Sequence, residues 1–109
     1  MSESPLGGEF VVRLQIVGRV QGVGYRAWFV HEARHLNLRG WVRNTTEGSV
    51  EAAVCGSEGA IGRLIASAHV GPPLARVTEV RRSPLDPSVA ATLPKIFQQA
   101  PTAAPGAGE

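Results

Sequence analysis

The sequence predicts an α+β domain with its elements in the order β-α-β-β-α-β, and three observations carry that prediction. Apolar residues alternate with period 2 over residues 12–17 and 50–54, they recur at helical spacing over 29–36 and 61–68, and glycine or proline breaks separate these stretches. At 109 residues the chain makes one domain near the small end of the usual range. A domain of that size buries a limited core, so its chemistry must come from a compact site built by one or two loops.

The elements follow in order. Val12, Leu14 and Ile16 alternate with Arg13, Gln15 and Val17, which is a strand with one buried face. Gly18, Gly22 and Gly24 break the pattern, and Phe29, Ala33 and Leu36 then mark the apolar stripe of a helix over residues 25–36. A second strand is expected over 38–44. Thr45-Thr46-Glu47-Gly48 supplies a glycine-ended turn into Val50, Ala52 and Val54, so strands two and three form a hairpin. Ser57 is placed to cap a second helix, with Glu58 in its first turn and Ile61, Leu64, Ile65 and Ala68 as its stripe, and Gly71-Pro72-Pro73 ends it. Residues 74–81 have strand character, 83–87 read as a loop, and Ile96-Phe97 marks a short last strand. This order is that of a ferredoxin-like sandwich, an antiparallel sheet with two helices on one face. The domain is expected over 9–100. Residues 1–8, rich in Ser, Pro and Gly, and 101–109, mostly Pro, Ala, Thr and Gly, are expected to be flexible tails.

Composition narrows the function. Hydrophobic residues make up 43% and charged residues 18%, as in an ordinary globular protein. A formal net charge of +2 suits an anionic ligand but falls short of the clustered charge of a nucleic-acid binder. Cys55 is the single cysteine, so one chain builds neither a disulfide nor a thiolate metal cluster, which fits a reducing compartment. The start of the sequence lacks the basic end and apolar run of a signal peptide, and no apolar stretch reaches membrane-spanning length. A cytoplasmic, soluble monomer is expected, with no membrane or nucleic-acid partner.

The chemistry concentrates in Gly18-Arg19-Val20-Gln21-Gly22-Val23-Gly24-Tyr25-Arg26, between a strand and a helix start. Free backbone amides and the positive helix end attract an anion there, and glycines let the backbone come close and turn its amides inward. Arg26, in the first helical turn, can fold back over such a nest and donate two parallel bonds to phosphate oxygens. A glycine-rich strand-to-helix loop is often no more than a tight turn, and the arginine shifts the balance toward an anion site. The loop lacks the Gly-Lys-Ser/Thr of a P-loop and the third glycine of a dinucleotide fingerprint.

Val17-Gly18-Arg19-Val20-Gln21-Gly22-Val23-Gly24-Tyr25-Arg26 resembles the signature loop of the acylphosphatases. Leu38-Arg39-Gly40-Trp41-Val42-Arg43-Asn44, followed by Glu47-Gly48 and Val50-Glu51-Ala52, resembles the second signature of that family at matching separation. The likeness covers roughly residues 9–100 and departs most between Ser83 and Pro94, where Pro84, Pro87 and Pro94 interrupt the approach to the last strand. The resemblance implies hydrolysis of the carboxyl-phosphate anhydride of a small-molecule acyl phosphate, without metal or other cofactor. It makes Arg26 and Asn44 catalytic: Arg26 holds the phosphoryl group and the Asn44 side chain holds the attacking water. Phosphate binding falls to Arg26 and the amides of Val20, Gln21, Gly22, Val23 and Gly24.

Two other signals compete. His31-Glu32-Ala33-Arg34-His35 matches the H-E-x-x-H of zinc hydrolases. The two histidines lie about 200° round the helix from Phe29 and Ala33 and should face solvent, and only His69 or a distant carboxylate remains as a third ligand. Arg39-Gly40-Trp41 faintly resembles the basic-Gly-aromatic motif of RNA-recognition domains, but it falls on the second strand in place of the third, with few aromatics for base stacking. A non-catalytic phosphate- or RNA-binding module, or a domain handling carbamoyl phosphate for a partner, are the alternatives to the enzyme.

Overall fold

The computed structural model describes residues 9–103; the expected tail at 1–8, and that at 101–109 from residue 104 on, lie outside the described residues. The chain forms β1 (Phe10–Arg19), α1 (Tyr25–His35), β2 (Arg39–Asn44), β3 (Val50–Gly56), α2 (Glu58–Val70), β4 (Arg76–Pro84), a 3₁₀ helix (Pro87–Thr92) and β5 (Gln98–Gln99). The sheet order is β4-β1-β3-β2-β5, so the two βαβ halves interleave as a ferredoxin-like sandwich requires. Pairings among β1 to β4 are antiparallel, while β5 runs parallel to β2, which makes the sheet mixed where a purely antiparallel one was expected. No helix among the described residues is long and apolar enough to cross a membrane.

Alternation in the strands sorts side chains onto two faces. Val12, Leu14 and Ile16 of β1 and Val50, Ala52 and Val54 of β3 pair directly and are buried, meeting Phe29 and Ala33 of α1 and Ile61, Leu64 and Ala68 of α2. Both helices thus cover one face. Tyr25 fastens them together: its ring lies against Trp28 and Phe29, and its hydroxyl donates to the Ala68 carbonyl at 2.8 Å. Burial pushes the Tyr25 phenol well above its ordinary range, so it stays a neutral donor.

The other face is polar in its middle. Glu51 accepts from Arg13 Nε at 2.6 Å and from Arg43 Nε at 2.9 Å, and Arg43 also lies over the Trp41 ring, 4.4 Å from its centroid. Burial alone would raise the Glu51 carboxyl, but the bonds and charges of the two arginines together outweigh it and lower it. At one end of this face Val11, Ala53 and the buried Cys55 pack under Leu93, with Leu85, Val89 and Ala90 beside them.

The region of greatest sequence departure therefore has regular structure. β4 runs to Pro84, past the expected loop start, because an edge strand tolerates proline at its end. Asp86 caps the 3₁₀ helix by accepting from Ser88 N at 2.9 Å, and Arg39 Nη2 donates to the Ala90 carbonyl at 2.8 Å. Arg39, the basic residue of the RNA-like triplet, is thereby engaged in holding this cover. The last strand falls at Gln98–Gln99, two residues beyond the expected Ile96-Phe97, because Phe97 is drawn fully into the core against Phe29.

Candidate active site

The loop between β1 and α1 is built to leave a helix start open. The β1–β4 register shifts between Val17 and Gly18, and Gly18 and Arg19 stay paired with Val77 and Arg76 before the loop begins. Gly24 stands at the N-cap of α1 with φ 80°, and Gly22 has φ 74°, left-handed angles that side-chain-bearing residues rarely adopt. A Cβ at either glycine would meet no heavy atom within 4 Å, so the glycines are there for backbone angle and open access and not for tight packing. Gly24 has no side chain with which to cap the helix, and no acidic residue occupies its first turn, so amide donors and the positive helix end stay uncompensated by the protein.

A cavity of about 130 Å³ opens at this point, lined by Val20, Gly22, Gly24, Tyr25, Arg26, Ala27 and Gln99. Arg26 is partly exposed, and among the described residues no carboxylate pairs with it, whereas Arg13, Arg39, Arg43, Arg81 and Arg82 each meet one. The walls offer amide donors and a guanidinium, the donor set for an oxyanion with several oxygens.

The remaining expected residues fall around this cavity in different ways. Gln21 directs its side chain away: Nε2 donates to the Thr45 carbonyl at 2.9 Å and the Ser49 carbonyl at 2.7 Å. Those two residues close the β2–β3 turn, where Thr45 N donates to Ser49 O at 2.9 Å and their hydroxyls meet at 2.8 Å. The tie fixes the loop to the hairpin that carries Asn44. Val23 is partly buried against the core. Asn44, at the end of β2, is not among the cavity-lining residues, and its Oδ1 is buried with no hydrogen-bond partner among the described residues. A buried acceptor without a partner is rare in folded proteins and marks this position for attention.

Sequence reasoning gave Gln21 only a backbone part and did not consider Gln99. The tie made by Gln21 depends on hairpin geometry that no local pattern reveals. Gln99 carries a usable signal, since alternation from the apolar Phe97 puts it on the inward-facing side of the last strand. His31 and His35 are both exposed, with rings 6.4 Å apart, and among the described residues no group of three metal-ligating side chains gathers.

A ferredoxin-like domain whose uncapped helix start, glycine loop and arginine converge on one small cavity belongs to the class of small α+β domains whose site is an open helix start, a place suited to an oxyanion. Known proteins narrow that class. The acylphosphatase family model matches residues 12–92. An acylphosphatase of Rhodopseudomonas palustris is 48% identical over 81 residues, covering 74% of this chain and 82% of its own. The structure of an acylphosphatase from Coxiella burnetii superposes with a TM-score of 0.73 at 32% identity, covering 84% of this chain and 93% of that one. Full-length HypF, in its phosphate- and nucleotide-bound form, contains a similar unit: TM-score 0.75 at 26% identity, over 86% of this chain and 12% of that protein. The chain belongs to the acylphosphatase family.

Proposed function

We propose that this chain is an acylphosphatase that hydrolyses acyl phosphates to a carboxylate and inorganic phosphate. The observation that carries the reading is the convergence of Gly22, Gly24 and Arg26 on one cavity at an uncapped helix start, in a chain of this family.

The phosphoryl oxygens lie among the amides of Val20, Gln21, Gly22, Val23 and Gly24 and against the Arg26 guanidinium. Phosphoryl transfer asks chiefly for positioning and for stabilisation of charge on the equatorial oxygens, and a fixed arginine with oriented amides supplies both. Asn44 is neutral and takes no proton near pH 7, so its part is orientation: its carboxamide holds the attacking water with a lone pair turned toward phosphorus. The new P–O bond to water forms as the P–O bond to the carboxylate oxygen breaks. A phosphoryl oxygen takes the water proton, and the carboxylate leaves as a stable anion with no acid needed to protonate it. No residue is phosphorylated. The positive charge that the transition state calls for comes from Arg26, which makes the reaction metal-independent. The domain of residues 9–100 acts as a monomer in the cytoplasm on a small-molecule substrate, without nucleic acid; the lone, buried cysteine supports the reducing compartment.

The test is steady-state hydrolysis of benzoyl phosphate with and without chelator, in this protein and in Asn44→Ala. Chelator-insensitive turnover is expected, with turnover in the folded variant down on the order of 100-fold and a milder loss of phosphate affinity. Hydrolysis no faster than the spontaneous rate would refute the enzyme, and equal losses of turnover and phosphate affinity would remove Asn44 from the water site.

A further inference from the structure

The last strand puts a polar side chain where the core pattern calls for an apolar one. Phe97 is fully buried, 5.7 Å ring to ring from Phe29, and its carbonyl accepts from Arg34 Nε at 2.7 Å. Two residues on, Gln99 pairs with Val42 in parallel register, and Ala100 N fixes the register by donating to the Val42 carbonyl at 2.8 Å. Paired residues on neighbouring strands point the same way, so Gln99 shares the helix-side face with the buried Val42. The chain descends beside α1 from Arg34 and Phe29 toward the helix start, and Gln99 arrives there exposed, lining the cavity with Arg26 and Ala27.

The other lining side chains leave one kind of group unsupplied. Val20 and Ala27 are apolar, the loop amides and Arg26 only donate, and the Tyr25 hydroxyl is spent on the Ala68 carbonyl. Among the described residues that line the cavity, Gln99 is the one with an exposed, neutral side chain that both donates and accepts. A phosphoryl group has only acceptors to offer near pH 7 and is already surrounded by donors. The accepting half of the carboxamide suits a substrate donor, and on an acyl phosphate such a donor sits on the acyl group.

We propose that Gln99 is a specificity-determining residue that reads the acyl part of the substrate, favouring acyl phosphates that carry a hydroxyl or amine next to the carbonyl. The inference rests on the acylphosphatase reading for the position of the phosphoryl group. The carboxamide accepts from the substrate hydroxyl or amine and donates to the acyl carbonyl oxygen, and no covalent step passes through it.

Acetyl phosphate and glycoloyl phosphate differ by one hydroxyl and form the test pair, assayed on this protein, on Gln99→Leu and on Gln98→Leu as the control on the opposite face of the strand. Gln99→Leu is expected to lower kcat/KM for glycoloyl phosphate about tenfold and to leave acetyl phosphate within about twofold, while Gln98→Leu changes neither. Calorimetric binding of acetonylphosphonate and hydroxyacetonylphosphonate, in which a CH₂ replaces the labile oxygen, should show the same preference and its loss in Gln99→Leu. Equal losses for both ligands, or weaker binding of inorganic phosphate, would put Gln99 on the phosphoryl group and overturn the proposal, as would no change at all. A parent that binds both phosphonates but hydrolyses neither acyl phosphate would refute the enzyme while the calorimetry still decides the part of Gln99. A parent that binds neither phosphonate overturns both.

Discussion

The two helices begin in opposite ways. At α2, Ser57 Oγ accepts from Ala60 N at 3.1 Å, Glu58 stands in the first turn, and Arg82 meets that carboxylate through two bonds of 2.9 and 2.6 Å. Amide, dipole and counter-charge are all satisfied within the protein. At α1 the N-cap is Gly24, with no capping side chain, no acid in the first turn and Arg26 adding to the positive end. One start is finished within the protein and the other is left open. A helix start capped by glycine in place of serine forgoes roughly a few tenths of a kcal/mol of stability, and on the proposed reading a phosphate supplies the missing acceptors.

The largest effect should follow from taking the charge out of the open end. On the proposed reading Arg26→Ala removes two charge-assisted bonds to the phosphoryl group, so kcat/KM should fall roughly a thousandfold while the melting temperature hardly moves. Inorganic phosphate, used as a competitive inhibitor, should weaken in parallel. A variant that keeps its phosphate affinity would show that the loop amides alone hold the anion.

A smaller effect should come from making α1 resemble α2. Ala27 is exposed, lines the cavity and lies in the first turn, so Ala27→Glu gives the open end the acid it lacks. Phosphate affinity should drop about tenfold through like-charge repulsion, and stability should rise by about 0.3 to 1 kcal/mol through the helix dipole. The two changes have opposite signs, and thermal unfolding with phosphate titration reads both. A variant that loses stability along with affinity would break the comparison, because the open end would then owe nothing to helix electrostatics.

The finished start was legible in the sequence and the open one only in part. Ser57, Glu58 and the stripe from Ile61 to Ala68 form a local pattern, and the structure places the cap and helix where that pattern puts them. The glycines and Arg26 of the open start also form a local pattern, which brought the loop and the arginine to notice. What completes the site is not local. Gln21 reaches carbonyls 24 and 28 residues away, and Gln99 comes to the cavity through a parallel pairing with β2 that two residues of strand cannot announce. The prolines near the end hid the same information, since a chain read as interrupted turned out to cover the far face with a 3₁₀ turn before it entered the sheet.

The smallest effects belong to the finished end and should leave catalysis alone. Ser57→Ala should cost about 1 kcal/mol of stability with no change in phosphate inhibition, because α2 packs on the core and does not line the cavity. Glu58→Gln should show its effect only through pH. The hydrogen bonds from Arg82 hold the Glu58 carboxyl below its ordinary value of 4.5, so in the parent this pair contributes stability above that value. The contribution is lost as pH falls through the lower, folded value, because protonation removes the charge that Arg82 meets. Melting temperature should therefore decline less steeply with acidification in Glu58→Gln than in the parent, and added salt should shrink the difference, since both partners lie at the surface. If instead Glu58→Gln shifted the pH profile of hydrolysis near neutrality, the two helix starts would be coupled through the sheet and could not be treated as separate devices.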